Sequence, residues 1–286
     1  MKHNIKKISA LLATSKKFSG DRIYYFEEIE STNSWLLAHN KMPAKTPDKM
    51  PRQTPGQIDD QIDGKVCMAE RQTYGKGRRG KSWMAPAGSS VLISMGWGLR
   101  ESGLQSSLQG LSLVSGLAVA QSLREVGVAV KLKWPNDIIA DGKKLGGILV
   151  EISGLDCVIG VGINVNMPPS FARQIDQPCT DLYALGWRVD RDQLVAAIVL
   201  NHEQFLSRYR SNGFASFRAR WNALHAYQNQ VVEVVSAGNH WSGTALGVDA
   251  AGALLVECNG SIRRIIGGEV SIRAKTAITE NDYKMS

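Results

Sequence analysis

An Asp141-Gly142 pair, set between the strand-like runs Val128–Lys133 and Lys144–Ile152, limits the folds open to this chain. Asp-Gly readily takes positive φ at both centres of a tight turn whose twist suits a two-residue hairpin. Such a loop joins antiparallel neighbours only, because a parallel pair needs a crossover of roughly a dozen residues or more. A third strand-like run, Cys157–Val165, follows at once, so the middle of the chain reads as hairpins rather than alternating βαβ units. The expected class is therefore α+β with a mixed sheet. At 286 residues there is room for one large domain and a small one.

The flanks fill in this outline. Arg22–Glu30 reads as a strand, Ser31-Thr32-Asn33 are good N-cap types, and a short helix runs on to Ala38. Lys41–Gly64 holds four prolines among polar residues and is expected to be an extended, mobile insertion. A strand follows from Val66 into Glu70, then a loop rich in glycine and arginine through Lys81, then a strand over Ser90–Leu99. Leu108, Leu111, Val114, Ala118 and Leu123 fall at helical spacing and make Ser106–Val126 the main core helix. Two further helices are expected over Arg191 to about Arg210 and Phe214–Leu224. From Gln230 short strands alternate with turns at Ala237-Gly238, Asp249 to Gly252 and Asn259-Gly260, the pattern of a small β barrel. The lysine-rich first twenty residues offer at most one short helix.

Composition excludes several classes. Hydrophobic residues make up 43% and charged residues 21%, a globular balance. No uncharged apolar run approaches the roughly 18–20 residues of a membrane span. The Ile8–Ala13 patch is too short and broken for a secretory leader, and no small-residue cleavage site follows it, so a cytoplasmic protein is expected. Cys67, Cys157, Cys179 and Cys258 share no C-x-x-C spacing and read as reduced thiols. A net charge of +8 allows a polyanionic partner but does not separate DNA, ATP phosphates and an acidic protein.

Four segments carry chemistry. In Gly75–Lys81 alternate glycines let backbone N–H groups approach an anion, and four cations stand within six residues. It is neither the G-x-x-x-x-G-K-[ST] phosphate loop nor a G-x-G-x-x-G turn opening a helix, and taken alone it equally suits a nucleic-acid-binding loop. Lys133–Asp137 places Pro135 after a strand and presents Asn136 and Asp137 at its mouth, as a Mg²⁺ or donor-orienting site or as a plain turn. Lys144, before the glycine pair Gly146-Gly147, is placed to reach a carboxylate or phosphate, or is a solvated turn lysine. Gly160–Asn166 is a strand whose glycines call for close packing, with Asn164 able to bond a ribose or an amide.

Taken together and in this order, these segments resemble the catalytic domain of biotin–protein ligases. The similarity begins at Glu28–Asn33 and runs through Glu70-Arg71-Gln72, Gly75–Gly80, Lys133–Asp137, Lys144–Glu151 and Gly160–Asn166. In the tail, Gly252–Leu255 and Gly267–Ser271 look like the family's SH3-like C-terminal domain. The resemblance covers about Arg22 to Lys275, apart from the proline-rich insertion. It implies a class II synthetase-like biotin/lipoate ligase domain over residues 22–226 and an SH3-like domain over 227–275.

The resemblance also implies roles. Ser31, Thr32, Asn33 and Gln72 match the residues that hold the ureido ring of biotin, and Gly75, Lys76, Gly77, Arg78 and Arg79 match the loop that closes over biotin and its adenylate. The family usually has arginine where this chain has Lys76, which keeps the charge but loses the planar fork. Lys144 and Arg78 would neutralise the biotin carboxylate and the α-phosphate of ATP as they react. Arg79, Trp83, Asn136 and Asn164 are expected beside the nucleotide. Asp137 would hold Mg²⁺ or help deprotonate the acceptor lysine. The implied partner is a biotin carboxyl carrier protein, and a homodimer is one of two states family members adopt. About twenty residues before Arg22 are too few for the DNA-binding module of the repressor members, so no DNA binding is expected. The rivals are a lipoate–protein ligase, a basic nucleic-acid-binding protein and a non-catalytic biotin-binding regulator.

Overall fold

The computed structural model describes residues 2–38, 62–98, 110–154, 156–175, 177–236, 239–266 and 270–274. Most of the proline-rich stretch, the start of the Ser106–Val126 helix, the Ala237-Gly238 turn and Gly267-Gly268-Glu269 lie outside them.

Seven strands form one mixed sheet in the order β1-β2-β3-β7-β6-β5-β4. Strands β1 (Ile23–Ile29) and β2 (Val66–Gln72) run parallel. Antiparallel pairing links the rest: β3 (Ser90–Gly98), β7 (Asp156–Asn164), β6 (Lys143–Ser153), β5 (Asp137–Ala140) and β4 (Lys131–Lys133). The expected α+β class with a mixed sheet is what forms. The hairpin differs in one respect. Asp141-Gly142, with φ of 46° and 71°, joins β6 not to the Val128–Lys133 run but to the separate strand β5. The chain first folds back through Trp134-Pro135-Asn136, since a proline offers no N–H to continue the ladder.

The two faces of the sheet bury different partners. On one, α3 (Leu111–Glu125) and α5 (Arg191–Asn212), the latter preceded in the chain by the short α4 (Pro169–Ala172), stack over Val66, Met68 and Ile159. Helix α3 is buried nearly all round because it lies between the sheet and α5. Asp190 caps α5 by accepting from the N–H groups of Asp192 and Gln193, and Gly213, at φ 66°, ends it. The opposite face carries the short α2 (Thr32–Ala38), which packs Leu36 against Cys67 and Val158.

The N-terminal residues belong to the same core. Helix α1 (Ile5–Leu11) lies on α5, and Ile8, Leu12 and Phe18 are fully buried. His3 is buried too. Its Nδ1 lies 2.7 Å from Asp192 and its Nε2 2.9 Å from Arg191, while its backbone N–H donates to Glu70 at 2.7 Å.

The tail forms a five-stranded antiparallel sheet, β11-β10-β9-β8-β12, over Val231–Ser236, Asn239–Val248, Leu254–Cys258, Ser261–Ile265 and Val270–Ala274 for β8 to β12. Val232, Val234, Ala245, Leu254 and Val256 form its core. The Trp134 indole N–H donates to the Gly252 carbonyl at 3.1 Å and ties this sheet to the large domain.

Two buried histidines make stability depend on pH. His202, on α5, faces the Ile198 carbonyl through Nδ1 at 2.8 Å, and burial pushes its pKa down to about 4. Burial likewise lowers His225 to about 4. A histidine depressed in the folded state binds its proton more readily in the unfolded chain. Its contribution is therefore complete above pH 6.5 and is lost as pH falls towards 4. Between pH 7.5 and 5 each histidine should cost about 2 kcal/mol. The urea midpoint should fall over that range, and His202→Leu should flatten the fall; an unchanged slope in that variant would contradict the assignment.

Candidate functional site

Register builds the site on the α2 face. Ser94 pairs with Gly160, and Leu92 with Gly162. Leu149 then pairs with Gly160, Gly147 with Gly162, and Asp137 with Gly147. Directly paired residues share a face, so Gly147, Gly160 and Gly162 form a stripe without side chains, and a trough opens across the middle of the sheet. A Cβ on Gly162 would stand 2.6 Å from the Trp83 ring, and one on Gly160 would stand 2.4 Å from Asn33 Oδ1. The glycines make room for these two side chains.

The trough is a cavity of about 190 Å³. It is lined by Ser31, Thr32, Asn33, Gln72, Lys76, Gly77, Arg78, Arg79, Trp83, Asn136, Asp137 and Lys144, all of them singled out in the sequence. Gly75 stands at its edge, where an added Cβ would meet the Trp83 carbonyl at 2.5 Å and Gln72 Nε2 at 3.0 Å. Asn164 is not among the lining residues. It is buried, donates to the Thr180 carbonyl at 3.0 Å, and its Oδ1 has no hydrogen-bond partner among the described residues. The Trp83 indole nitrogen is buried and unpartnered in the same way.

The cationic loop is a closed hairpin. Trp83 N–H donates to the Gly75 carbonyl at 2.8 Å, Lys76 bridges to Ser82, and Gly77 N–H donates to the Lys81 carbonyl at 2.6 Å. At its tip Arg79 takes φ 61°, in the left-handed region, followed by Gly80 at φ 70°. This turn points Arg78 into the cavity. Burial and the neighbouring Arg79 charge hold the Arg78 guanidinium below its ordinary pKa, against the pull of Asp137. From the other wall the Lys144 ammonium meets Asp137 at 2.6 Å and lies 5.8 Å from the centre of the Trp83 ring. Arg78 and Lys144 thus face one cavity, and Asp137 is the one carboxylate lining it among the described residues.

At the α2 end the lining side chains Ser31, Thr32, Asn33 and Gln72 are uncharged and tightly bonded. Thr32 N–H donates to Gln72 Oε1 at 2.8 Å, and Thr32 Oγ1 lies 3.0 Å from the same oxygen. Ser94 Oγ lies 2.6 Å from Thr32 Oγ1 and 2.5 Å from Asn33 Oδ1. Asn33 Nδ2 donates to Glu151 Oε2 at 2.7 Å. No signal in the chain marks Ser94, one small residue in a buried strand. Glu151 ends the Lys144–Glu151 run, and the residue types around it assign it no role. Asn136 clamps the floor, donating to the Ile148 carbonyl at 2.7 Å while its own carbonyl accepts from Ile148 N–H.

Such a cavity pairs a polar end built on Ser31, Thr32, Asn33 and Gln72 with a cationic lining that includes Arg78 and Lys144. It suits a ligand with a neutral hydrogen-bonding head and an anionic reacting group. Among the described residues no three His, Cys, Asp or Glu side chains gather as a metal cage, and no helix is long and apolar enough to cross a membrane.

Comparison with known proteins points the same way. Residues 30–166 match the family described as Biotin/lipoate A/B protein ligase, and residues 229–273 match the Biotin protein ligase C terminal domain. The chain is 37% identical over 217 residues to the Bifunctional ligase/repressor BirA of Escherichia coli, covering 74% of this chain and 67% of that protein. It is 33% identical over 216 residues to the Biotin--[acetyl-CoA-carboxylase] ligase of Mycobacterium tuberculosis, covering 72% and 78%. The biotin protein ligase of Aquifex aeolicus, solved with biotin and ATP, superposes with a TM-score of 0.72 at 26% identity, over 88% of this chain and 99% of that one.

Proposed function

This chain belongs to the biotin protein ligase family, and from that premise we propose that it activates biotin with ATP and transfers it to a lysine of a biotin carboxyl carrier protein, the acetyl-CoA carboxylase subunit. The observation that carries this is the convergence of Arg78 and Lys144 on one cavity whose far end is a neutral hydrogen-bonding cluster. The C-terminal match to the biotin ligase domain favours biotin over lipoate.

In the first step the biotin carboxylate attacks the α-phosphorus of ATP and pyrophosphate leaves, giving biotinyl-adenylate. Both reactants are anions, so positive charge fixed beforehand lowers the barrier. Lys144, oriented by Asp137, and Arg78, held on the hairpin, supply it. Thr32, Asn33 and Gln72 hold the ureido ring, with Ser31 at the start of α2. Lys76, Gly77 and Arg79 close over the adenylate. The buried, unpartnered Trp83 Nε1, a donor on a residue that lines the cavity, suits an acceptor nitrogen of adenine. In the second step a deprotonated lysine amine attacks the acyl carbon and AMP leaves. Asp137, the one carboxylate lining the cavity among the described residues, would take the ammonium proton that the acceptor lysine must lose before it attacks.

Mg²⁺ fits this site only in the manner usual for nucleotide enzymes, on the substrate phosphates with one or two carboxylates. Asp137 would hold it, and the ion would offset the charge of the leaving pyrophosphate.

Incubation with biotin, ATP, Mg²⁺ and a carrier domain should add one biotin to the carrier by mass spectrometry, and no mass shift would overturn the function. Lys76→Arg should restore a forked donor on the loop and slow release of the adenylate severalfold. Stopped-flow dissociation rates measure this, and identical rates would remove Lys76 from adenylate retention.

A further inference from the structure

Strand β5 pairs with β6 only as far as Gly147, and a second cavity, also of about 190 Å³, lies beside Ile148 and Val150 just beyond that point. Its wall is apolar: Leu113 of α3, Trp134, Pro135, Ile148, Val150 and, from the C-terminal domain, Ile266. The polar groups bordering it are engaged with one another. Ser112 Oγ donates to the Pro135 carbonyl at 3.1 Å, and the Gly252 carbonyl accepts the Trp134 indole N–H. Among the described residues Arg78 is the one charged residue that lines it. Arg78, Trp134, Pro135 and Ile148 also line the reaction cavity, so the two adjoin with Arg78 at their boundary.

A phosphate chain, a ribose or a ureido ring needs several donors and acceptors, which this wall does not offer. It suits an alkyl stem. Resting on the biotin reading above, we infer that this cleft admits the acceptor lysine, its four methylenes against the apolar wall, and delivers it to the adenylate as the neutral amine. The chemistry calls for such a step. A free lysine and a free aspartate differ by about 6 pKa units, so Asp137 alone is too weak a base for an ordinary ammonium. An apolar wall favours the uncharged amine, and the Arg78 guanidinium beside the path acts in the same direction. Beyond Arg78 the path meets Asp137, already paired with Lys144, and the further cations Lys76, Arg79, Lys81 and Lys133, so positive charge prevails throughout. The ammonium proton passes to Asp137 or to solvent. The amine nitrogen then bonds the acyl carbon and loses its second proton, the bond from that carbon to the phosphate oxygen breaks, and AMP leaves with the electron pair.

The test compares the two half-reactions across pH: ATP–pyrophosphate exchange, and single-turnover transfer from preformed enzyme-bound biotinyl-adenylate to a carrier domain. In the wild type, transfer should reach its plateau well below the pKa of about 10.4 of a free lysine. Val150→Asp places a carboxylate in the cleft, which stabilises the ammonium by about 1–3 pKa units. Transfer at neutral pH should then fall about 10-fold or more and recover at high pH, while exchange stays within about twofold of the wild type. Val150→Asn, polar but uncharged, should slow transfer far less. Ile266→Asp, at the exposed mouth, should act like Val150→Asp but more weakly, and it decides if Val150→Asp does not fold. Equal slowing at every pH, equal effects of Asp and Asn, or a loss of exchange as large as the loss of transfer would overturn the inference. Absence of any biotin-dependent exchange in the wild type would instead overturn the function itself.

Discussion

Lys144→Ala should lower biotin-dependent ATP–pyrophosphate exchange by about 10³-fold or more. The ammonium lines the cavity and is held against a carboxylate, 2.6 Å from Asp137, and both side chains are largely buried. Removing it has two consequences. The first is loss of the charge that lets one anion approach another, an effect of about 3–4 kcal/mol on the barrier. The second is that Asp137 stands unpaired beside the cavity and repels both the carboxylate and the α-phosphate. Lys144→Arg keeps the charge but not the compact geometry, so it should recover only part of the rate. Burst-free exchange assays at saturating ATP measure this. Near-normal exchange in Lys144→Ala would remove Lys144 from the reaction.

The parts of this site legible in the sequence are those whose chemistry is concentrated. Four cations among alternate glycines, a lysine before a glycine pair and an Asn-Asp after a proline announce themselves because few structural needs call for those residue types together. The glycine stripe is half legible: Gly147, Gly160 and Gly162 stand out one by one, but only strand register shows that they lie side by side. Ser94 is invisible in the sequence because its contacts with Thr32 and Asn33 arise only when β3 is brought beneath α2. Strand β5 was hidden for another reason. Its four residues are too few to show alternation, and the Asp-Gly turn was therefore joined to the run before Pro135. Asn164, expected beside the nucleotide, does not line the cavity: it is buried and donates to the Thr180 carbonyl.

Phe18→Ala should destabilise the protein by about 3–5 kcal/mol, the cost of emptying a buried aromatic site. From sequence, the lysine-rich first twenty residues offer at most one short helix. The structure places their few apolar side chains in the core. Phe18 is fully buried with its ring 6.3 Å from that of Trp97, and Lys17 lies 4.1 Å from the same indole while pairing with Asp63 at 2.6 Å. Ser15 Oγ accepts the Phe18 N–H at 2.7 Å and bonds Glu203 of α5, so the turn is fixed from both sides. A loss of this size is a large share of the roughly 5–15 kcal/mol that stabilises a typical domain. The exposed ion pair of Lys2 with Glu27, by contrast, should contribute at most about 1 kcal/mol, so Lys2→Ala serves as a control from the same segment. Urea midpoints of the two variants separate a structural segment from an arm. If Phe18→Ala shifts the midpoint no more than Lys2→Ala does, the N-terminal residues rest on the surface and the core ends at β1.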